Sequence, residues 1–144
     1  MKGCLKYTFT NVKDSLANGG VSYSENEEYV LSVPWKIIIR KKKGVSWLGV
    51  FAHCNLNHLQ DEYDWSCNAM VEYSLLATQG EDIAIMKKKL PTTINFTSKA
   101  PNWGYPHFIK WSELIDPGNK YISKEGGVTF QIDIAATRYD AIRL

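Results

Sequence analysis

From Val128 to Ile134 apolar and polar residues alternate, with Val128, Phe130, Ile132 and Ile134 on one side and Thr129, Gln131 and Asp133 on the other. A two-residue period is that of a strand with one face against a core and one in water. The same period runs through Ala69, Val71, Tyr73 and Leu75, and again through Leu48, Val50, Ala52 and Cys54. Trp35 to Arg40 is rich in β-branched residues and follows Pro34, which predicts a more centrally buried strand, while Lys6 to Thr10 alternates Tyr7 and Phe9 with polar residues. Tyr29 to Val33 and Ile94 to Thr97, the latter after Pro91-Thr92-Thr93, are shorter candidates. Turn chemistry separates these runs at Asn18-Gly19-Gly20, Lys43-Gly44, Gln79-Gly80, Asp116-Pro117-Gly118-Asn119 and Gly126-Gly127. Helical spacing is confined to two places. Phe108, Trp111, Leu114 and Ile115 predict a helix of about two turns over His107 to Ile115, between Pro106 and Pro117, and Lys13 to Ala17 predicts a single turn closed by Asn18-Gly19. Many short strands with regular turns predict an antiparallel sandwich, with a closed barrel as the alternative.

Length and charge narrow the function classes. At 144 residues, 44% apolar, the chain is expected to be a single domain over residues 1–144. No period of about 20 to 50 residues suggests a repeat array. Lys and Arg total 17 against 15 Asp and Glu, and the net charge of +2 provides no broad electropositive face. Any basic surface must come from local clusters, of which there are two, Arg40-Lys41-Lys42-Lys43 and Lys87-Lys88-Lys89. Near aromatics such runs suggest single-stranded nucleic acid, but a solvated charge run at a strand end is the commoner cause, so no nucleic-acid partner is expected. Apolar runs such as Ile37 to Ile39 are far shorter than the roughly 20 residues of a membrane span, so no membrane partner is expected either. The segment Met1 to Tyr7 has no secretory signal pattern, and three cysteines, Cys4, Cys54 and Cys67, are an odd number, which favours free thiols in a reducing compartment. Asn95-Phe96-Thr97 fits a glycosylation acceptor, which carries little weight without an export signal.

Catalytic constellations are weak. His53, His58 and His107 are the available bases for a thiol nucleophile, yet none sits in a nucleophile motif, and His53 and Cys54, as strand neighbours, point to opposite faces. Cys54, His58 and Cys67 lack the paired spacing of a zinc site, no glycine-rich phosphate loop exists, and the acidic pairs Glu27-Glu28 and Asp61-Glu62 fit solvated turns. No catalytic residue, metal or cofactor is therefore expected. Trp103-Gly104-Tyr105 is more informative. Flanked by Pro101-Asn102 and Pro106, it predicts a loop in which glycine permits a positive φ or the close approach of another backbone while two large rings offer apolar area. Such a loop suits a peptide-binding lip; the competing explanation is that Trp103 plugs one end of the sandwich.

Pro34-Trp35-Lys36-Ile37-Ile38-Ile39, Leu48-Gly49-Val50-Phe51-Ala52-His53-Cys54-Asn55, Trp65-Ser66-Cys67-Asn68-Ala69, Asn102-Trp103-Gly104-Tyr105 and Phe108-Ile109-Lys110-Trp111-Ser112-Glu113 together resemble, in order and spacing, the MATH (meprin and TRAF homology) family. Trp65-Ser66-Cys67, Trp111-Ser112-Glu113 with Asp116-Pro117, and Val128-Thr129-Phe130 are most similar to the N-terminal, TRAF-like domains of ubiquitin-specific thiol proteases. The MATH domains of cullin ubiquitin-ligase adaptors, which carry a BTB domain, are the alternative. The resemblance implies an eight-stranded antiparallel β-sandwich with one or two short helices. It also implies a non-catalytic recognition domain of the nucleus or cytoplasm, whose shallow groove binds short disordered segments of protein substrates, commonly serine-containing, and recruits them to a deubiquitinating protease elsewhere in the parent chain. The TRAF branch trimerises through an appended coiled coil, and with no heptad run in this sequence a monomer is expected. Carried over by position, the peptide-binding residues are Trp103, Gly104, Tyr105 in place of the usual phenylalanine, Phe51 on the groove floor, Asn102 where the protease branch has aspartate, and Lys42 where it has arginine. Pro106 and His107 border the groove. Asn102 and Lys42 are expected to form a weaker or differently selective clamp on a peptide serine. Val71 and Ile94 stand where the adaptor branch is aromatic.

Overall fold

The computed structural model describes residues 1–56, 63–77, 84–89 and 92–143, so His58, Asp61-Glu62, Gln79-Gly80 and Pro91 lie outside the described residues. The strands are β1 (Lys2–Phe9), β2 (Gly20–Tyr23), β3 (Glu28–Val30), β4 (Val33–Lys41), β5 (Trp47–Cys54), β6 (Tyr63–Leu76), β7 (Ala84–Lys89), β8 (Ile94–Thr97), β9 (Asn102–Lys110) and β10 (Val128–Arg143). Helices are single turns, α1 (Val12–Ser15) and α2 (Trp111–Leu114), with a 3-10 turn at Pro117–Asn119. No described helix is long and apolar enough to cross a membrane.

These ten segments, counted among the described residues, fill eight lateral positions in two antiparallel sheets. One sheet runs β1-β10-β6, and β7 and β8 share the far edge of β6, pairing with Glu72 to Leu76 and with Ser66 to Ala69 respectively. The other runs β9-β5-β4, and β2 and β3 share the far edge of β4. The eight-stranded antiparallel sandwich is thus present, with two of its eight positions split. Inward residues of both sheets make one core, in which Trp35, Trp65, Tyr73, Phe96, Phe108 and Phe130 are fully buried. Burial of each such ring contributes about 2 to 3 kcal/mol. Cys54 on β5 and Cys67 on β6 face each other from opposite sheets within this core, both as free thiols, and burial pushes the Cys54 thiol up. Cys4 is exposed.

Three expectations are corrected. The helix predicted from His107 begins only at Trp111; Phe108 and Ile109 belong to β9 and are both buried. A bulged strand followed by one helical turn produces the same three-to-four-residue spacing as a longer helix. The Pro/Gly-rich stretch around Trp103 is strand, paired with β5, and not a loop. The run from Tyr29 to Val33 is broken by a two-residue turn at Leu31 and Ser32, with φ of 57° and 61°, which reverses the chain from β3 into β4. Two consecutive positive φ values define a hairpin turn normally signalled by Asn-Gly.

Where β2 leaves the β4 edge and β3 has not yet joined it, Ser24 completes the ladder. Its backbone N–H donates to the Ile37 carbonyl at 2.9 Å, its Oγ accepts from the Ile37 N–H at 3.0 Å, and that hydroxyl donates to the Asn26 carbonyl at 3.1 Å. Replacing Ser24 by Ala leaves a buried N–H without its acceptor and is expected to cost about 1 to 3 kcal/mol in urea unfolding; a change under about 0.5 kcal/mol would show that the backbone finds another partner. In the native protein, an alkylating reagent is expected to modify Cys4 and to reach Cys54 and Cys67 only after denaturation, as read by mass spectrometry. Partial burial and the neighbouring Asp133 carboxylate raise the Cys4 pKa, so less thiolate exists near neutral pH. Cys4 should react more slowly than a free cysteine there, gain on it as pH rises, and react faster in Asp133→Asn.

Candidate functional site

Among the described residues strand β9 is the last strand of its sheet, paired with β5 on one side. Trp103 lies opposite Ala52, Gly104 opposite Phe51 and Tyr105 opposite Val50. The Cys54 N–H donates to the Pro101 carbonyl at 2.9 Å, one pair before this stretch in the bonded phase of the ladder. Antiparallel alternation from that bond turns the backbone groups of Trp103 and Tyr105 toward β5 and those of Asn102 and Gly104 toward the open edge. Glycine is required at 104 by the protein's own packing. A Cβ there would lie 2.0 Å from the Val50 carbonyl oxygen and 2.7 Å from the Phe51 Cα. Of the two reasons expected for this glycine, close approach of another backbone is the one observed, and the backbone is that of β5.

Beyond Tyr105 the register slips: Leu48 pairs with Ile109 whereas Val50 pairs with Tyr105, so Pro106, His107 and Phe108 stand against Gly49 alone. Proline at this bulge sacrifices no ladder donor, and Gly49 makes room, since a Cβ there would sit 3.1 Å from the Pro106 Cα. The bulge re-aims the strand, leaving Pro106 and His107 exposed while Phe108 and Ile109 both turn inward.

Two surfaces flank the open edge. Toward the rim between the sheets, Trp103 is 43% exposed, so its ring does not plug the sandwich. Its carbonyl accepts from the Tyr73 hydroxyl at 2.5 Å, and burial raises the Tyr73 pKa, keeping that group a donor. The Tyr105 hydroxyl donates to the Lys89 carbonyl at 2.7 Å, a tie to β7 that a phenylalanine lacks, and its ring contacts Tyr73 and Phe108 at centroid distances of 5.7 and 6.3 Å. Lys88 closes this side, its ammonium 5.5 Å from the Tyr105 ring centre and 3.4 Å from the His107 carbonyl. On the outer face of the β9-β5-β4 sheet, Phe51 is half-buried with the Arg40 guanidinium 4.6 Å from its ring centre. A pocket of about 160 Å³ adjoins it, lined by Arg40, Lys42, Val45, Trp47, Pro106 and His107. Trp47 and His107 rings lie 5.3 Å apart. At the other end of the strand Asn102 is exposed opposite His53, which is buried beside the Tyr23 ring; burial lowers the His53 pKa and keeps the imidazole neutral.

The structure therefore gathers Phe51, Lys42, Pro106 and His107 on the outer face, and Trp103 and Tyr105 on the rim, with Gly104 and Asn102 between them on the edge. It does not bring Asn102 and Lys42 together. Asn102 aligns through His53 with Lys36, whereas Lys42 follows the pair Lys41 and Leu48, six residues along β4 and about 20 Å away at strand rise. A clamp of both on one serine is excluded. Val71 is fully buried and Ile94 packs half-buried against the core, so Val71 contributes nothing to an open surface. The basic runs are divided by their strands: Lys41 is buried, its ammonium 3.3 Å from the Ala17 carbonyl and 5.4 Å from the Trp111 ring centre, while Arg40 lies over Phe51. Arg40 and Tyr73 were not legible as site residues. One was hidden in a charge run, and the other in a core strand that supports β9 from the opposite sheet.

Comparison with known proteins agrees with this architecture. The MATH domain family matches residues 9–135. The chain is 30% identical over 108 residues to ubiquitin carboxyl-terminal hydrolase 7 of Drosophila melanogaster, an alignment covering 75% of this chain and 9% of that protein. The chain thus corresponds to a small part of that relative's length. On the sandwich, its register and these matches, the protein belongs to the MATH domain family, whose members are protein-interaction modules.

Proposed function

We propose that this domain captures short, extended peptide segments of protein substrates along the open edge of β9 and, in its parent protein, presents them to a ubiquitin-removing thiol protease. The observation that carries this reading is a strand edge that is unpaired among the described residues, beside the exposed Trp103. A peptide pairing with Asn102 and Gly104 gains main-chain hydrogen bonds, and its alternate side chains fall toward Trp103 and Tyr105 on one side and Phe51 on the other. The role in presenting substrates rests on similarity to ubiquitin carboxyl-terminal hydrolase 7. Serine near Asn102 suits the edge, since the amide both donates to and accepts from a hydroxyl. Ordering a flexible peptide offsets much of the contact energy, so binding is micromolar, about 7 to 8 kcal/mol, by a monomeric domain.

Trp103→Ala is expected to abolish peptide binding while costing about 1 kcal/mol or less of stability, because 43% of the residue is already exposed and it lies outside the buried core; fluorescence polarisation with serine-containing peptides and a urea melt separate the two effects. Retained affinity would refute the groove. Gly104→Ala is expected to behave differently, losing binding together with about 2 to 3 kcal/mol of stability, because the added methyl drives β9 off the β5 backbone. A Gly104→Ala protein as stable as the parent would show that the strand shifts freely.

A further inference from the structure

The pocket at the Pro106 bulge has a composition the edge alone does not explain. Arg40 and Lys42 enter it from the end of β4, His107 from β9, and Trp47, Val45 and Pro106 form its walls. No carboxylate lines it, and among the described residues neither Arg40 nor Lys42 has an ion-pair partner. Further cations stand close by, with the Lys110 ammonium 5.9 Å from the Trp47 ring centre and Lys88 on the His107 carbonyl. Two cations without an ion-pair partner among the described residues and an imidazole, set against an indole and a proline ring, form a surface site for negative charge.

We propose that this pocket takes a phosphorylated serine or threonine of the bound peptide. The inference rests on the edge-binding reading, and adds a requirement to it. A guanidinium fork, an ammonium and an imidazole offer more donors than the two oxygens of a carboxylate use, and they match the three oxygens and nearly double negative charge of a phosphoryl group. The volume of about 160 Å³ leaves room for that group beside Trp47. Spacing follows from the strand. The pocket residues Pro106 and His107 lie three and four positions from Trp103 on β9, so the phosphorylated residue stands about three to four positions from the residue seated at Trp103. Phosphorylation of the substrate then acts as a condition for tight capture, with no change in the domain itself.

The two halves of the proposal have separate reporters, because the indole N–H signals of Trp47 and Trp103 mark the pocket and the groove independently. An array of serine-containing decapeptides is made with serine, phosphoserine or glutamate at each position, and the best binders are titrated by fluorescence polarisation and by NMR of the indole signals. The expected result is that a phosphoserine three or four residues from the Trp103 contact tightens binding about tenfold at low salt and shifts both indoles. The advantage should fall at high salt, and the ratio of phosphorylated to unphosphorylated affinity should drop to about one in Arg40→Gln/Lys42→Gln, with folding checked by thermal melting. A Trp103 shift with no advantage for phosphoserine and no Trp47 shift overturns the pocket and leaves the groove. Glutamate binding as tightly as phosphoserine overturns the phosphoryl assignment in favour of a general acidic site. Peptides that leave Trp103 unmoved refute the groove, while a Trp47 shift with N-acetylphosphoserine amide alone would retain the pocket.

Discussion

At Gly104 the backbone of β9 lies so close to that of β5 that no side chain fits between them. The rest of the site depends on this close approach. It fixes the register that puts Trp103 on the rim and Phe51 on the outer face, and it turns the backbone of Asn102 and Gly104 to the open edge. With Gly49 accommodating Pro106, it also allows the extra residues of the bulge to swing Phe108 into the core, where that ring meets Phe130 at 5.8 Å. An open sheet edge is ordinarily a liability that proteins cover or charge. Here the edge is short, interrupted by Pro106 and its bulge, and tied to β7 by Tyr105 and Lys88. Those features are of the kind that keep a sheet edge from pairing indiscriminately with other strands.

Rigidity at the rim has a definite source. The ring contacts from Phe130 through Phe108 and Tyr105 to Tyr73 join the centre of the core to the edge strand, and the Tyr73 hydroxyl holds the Trp103 carbonyl from the opposite sheet. A strand supported in this way is held in place before any partner arrives, so little further ordering of it would be needed on binding. The Tyr105 hydroxyl adds a hydrogen bond to β7 beside these ring contacts. Charge is arranged with the same economy: Lys41 is buried against Trp111 and the α1 end, whereas Arg40 and Lys42 face outward at the bulge.

Alternating apolar residues determined the central strands. The alternation is clear along the first nine residues of β10 and the middle of β6, which have one face against the core. It is weaker in β5, where Phe51 is also apolar, and the β-branched run of β4 reflects burial on both faces in a strand flanked on both sides. Short edge segments carried no such signal: β2 is mostly exposed, and β9 combines exposed, half-buried and inward residues through a bulge, so its spacing imitates a helix. The chemistry of Trp103-Gly104-Tyr105 was visible in the sequence, as was the resemblance of ordered motifs that gave the family. What tertiary structure alone decided is which residues share a surface. Sequence places Arg40 among four consecutive cations and Trp47 with no partner, and only the pairing of β4, β5 and the bulged β9 sets both beside His107 around one pocket. It likewise separates Asn102 from Lys42, because distance across a sheet is set by register between strands, a long-range property that local sequence does not encode.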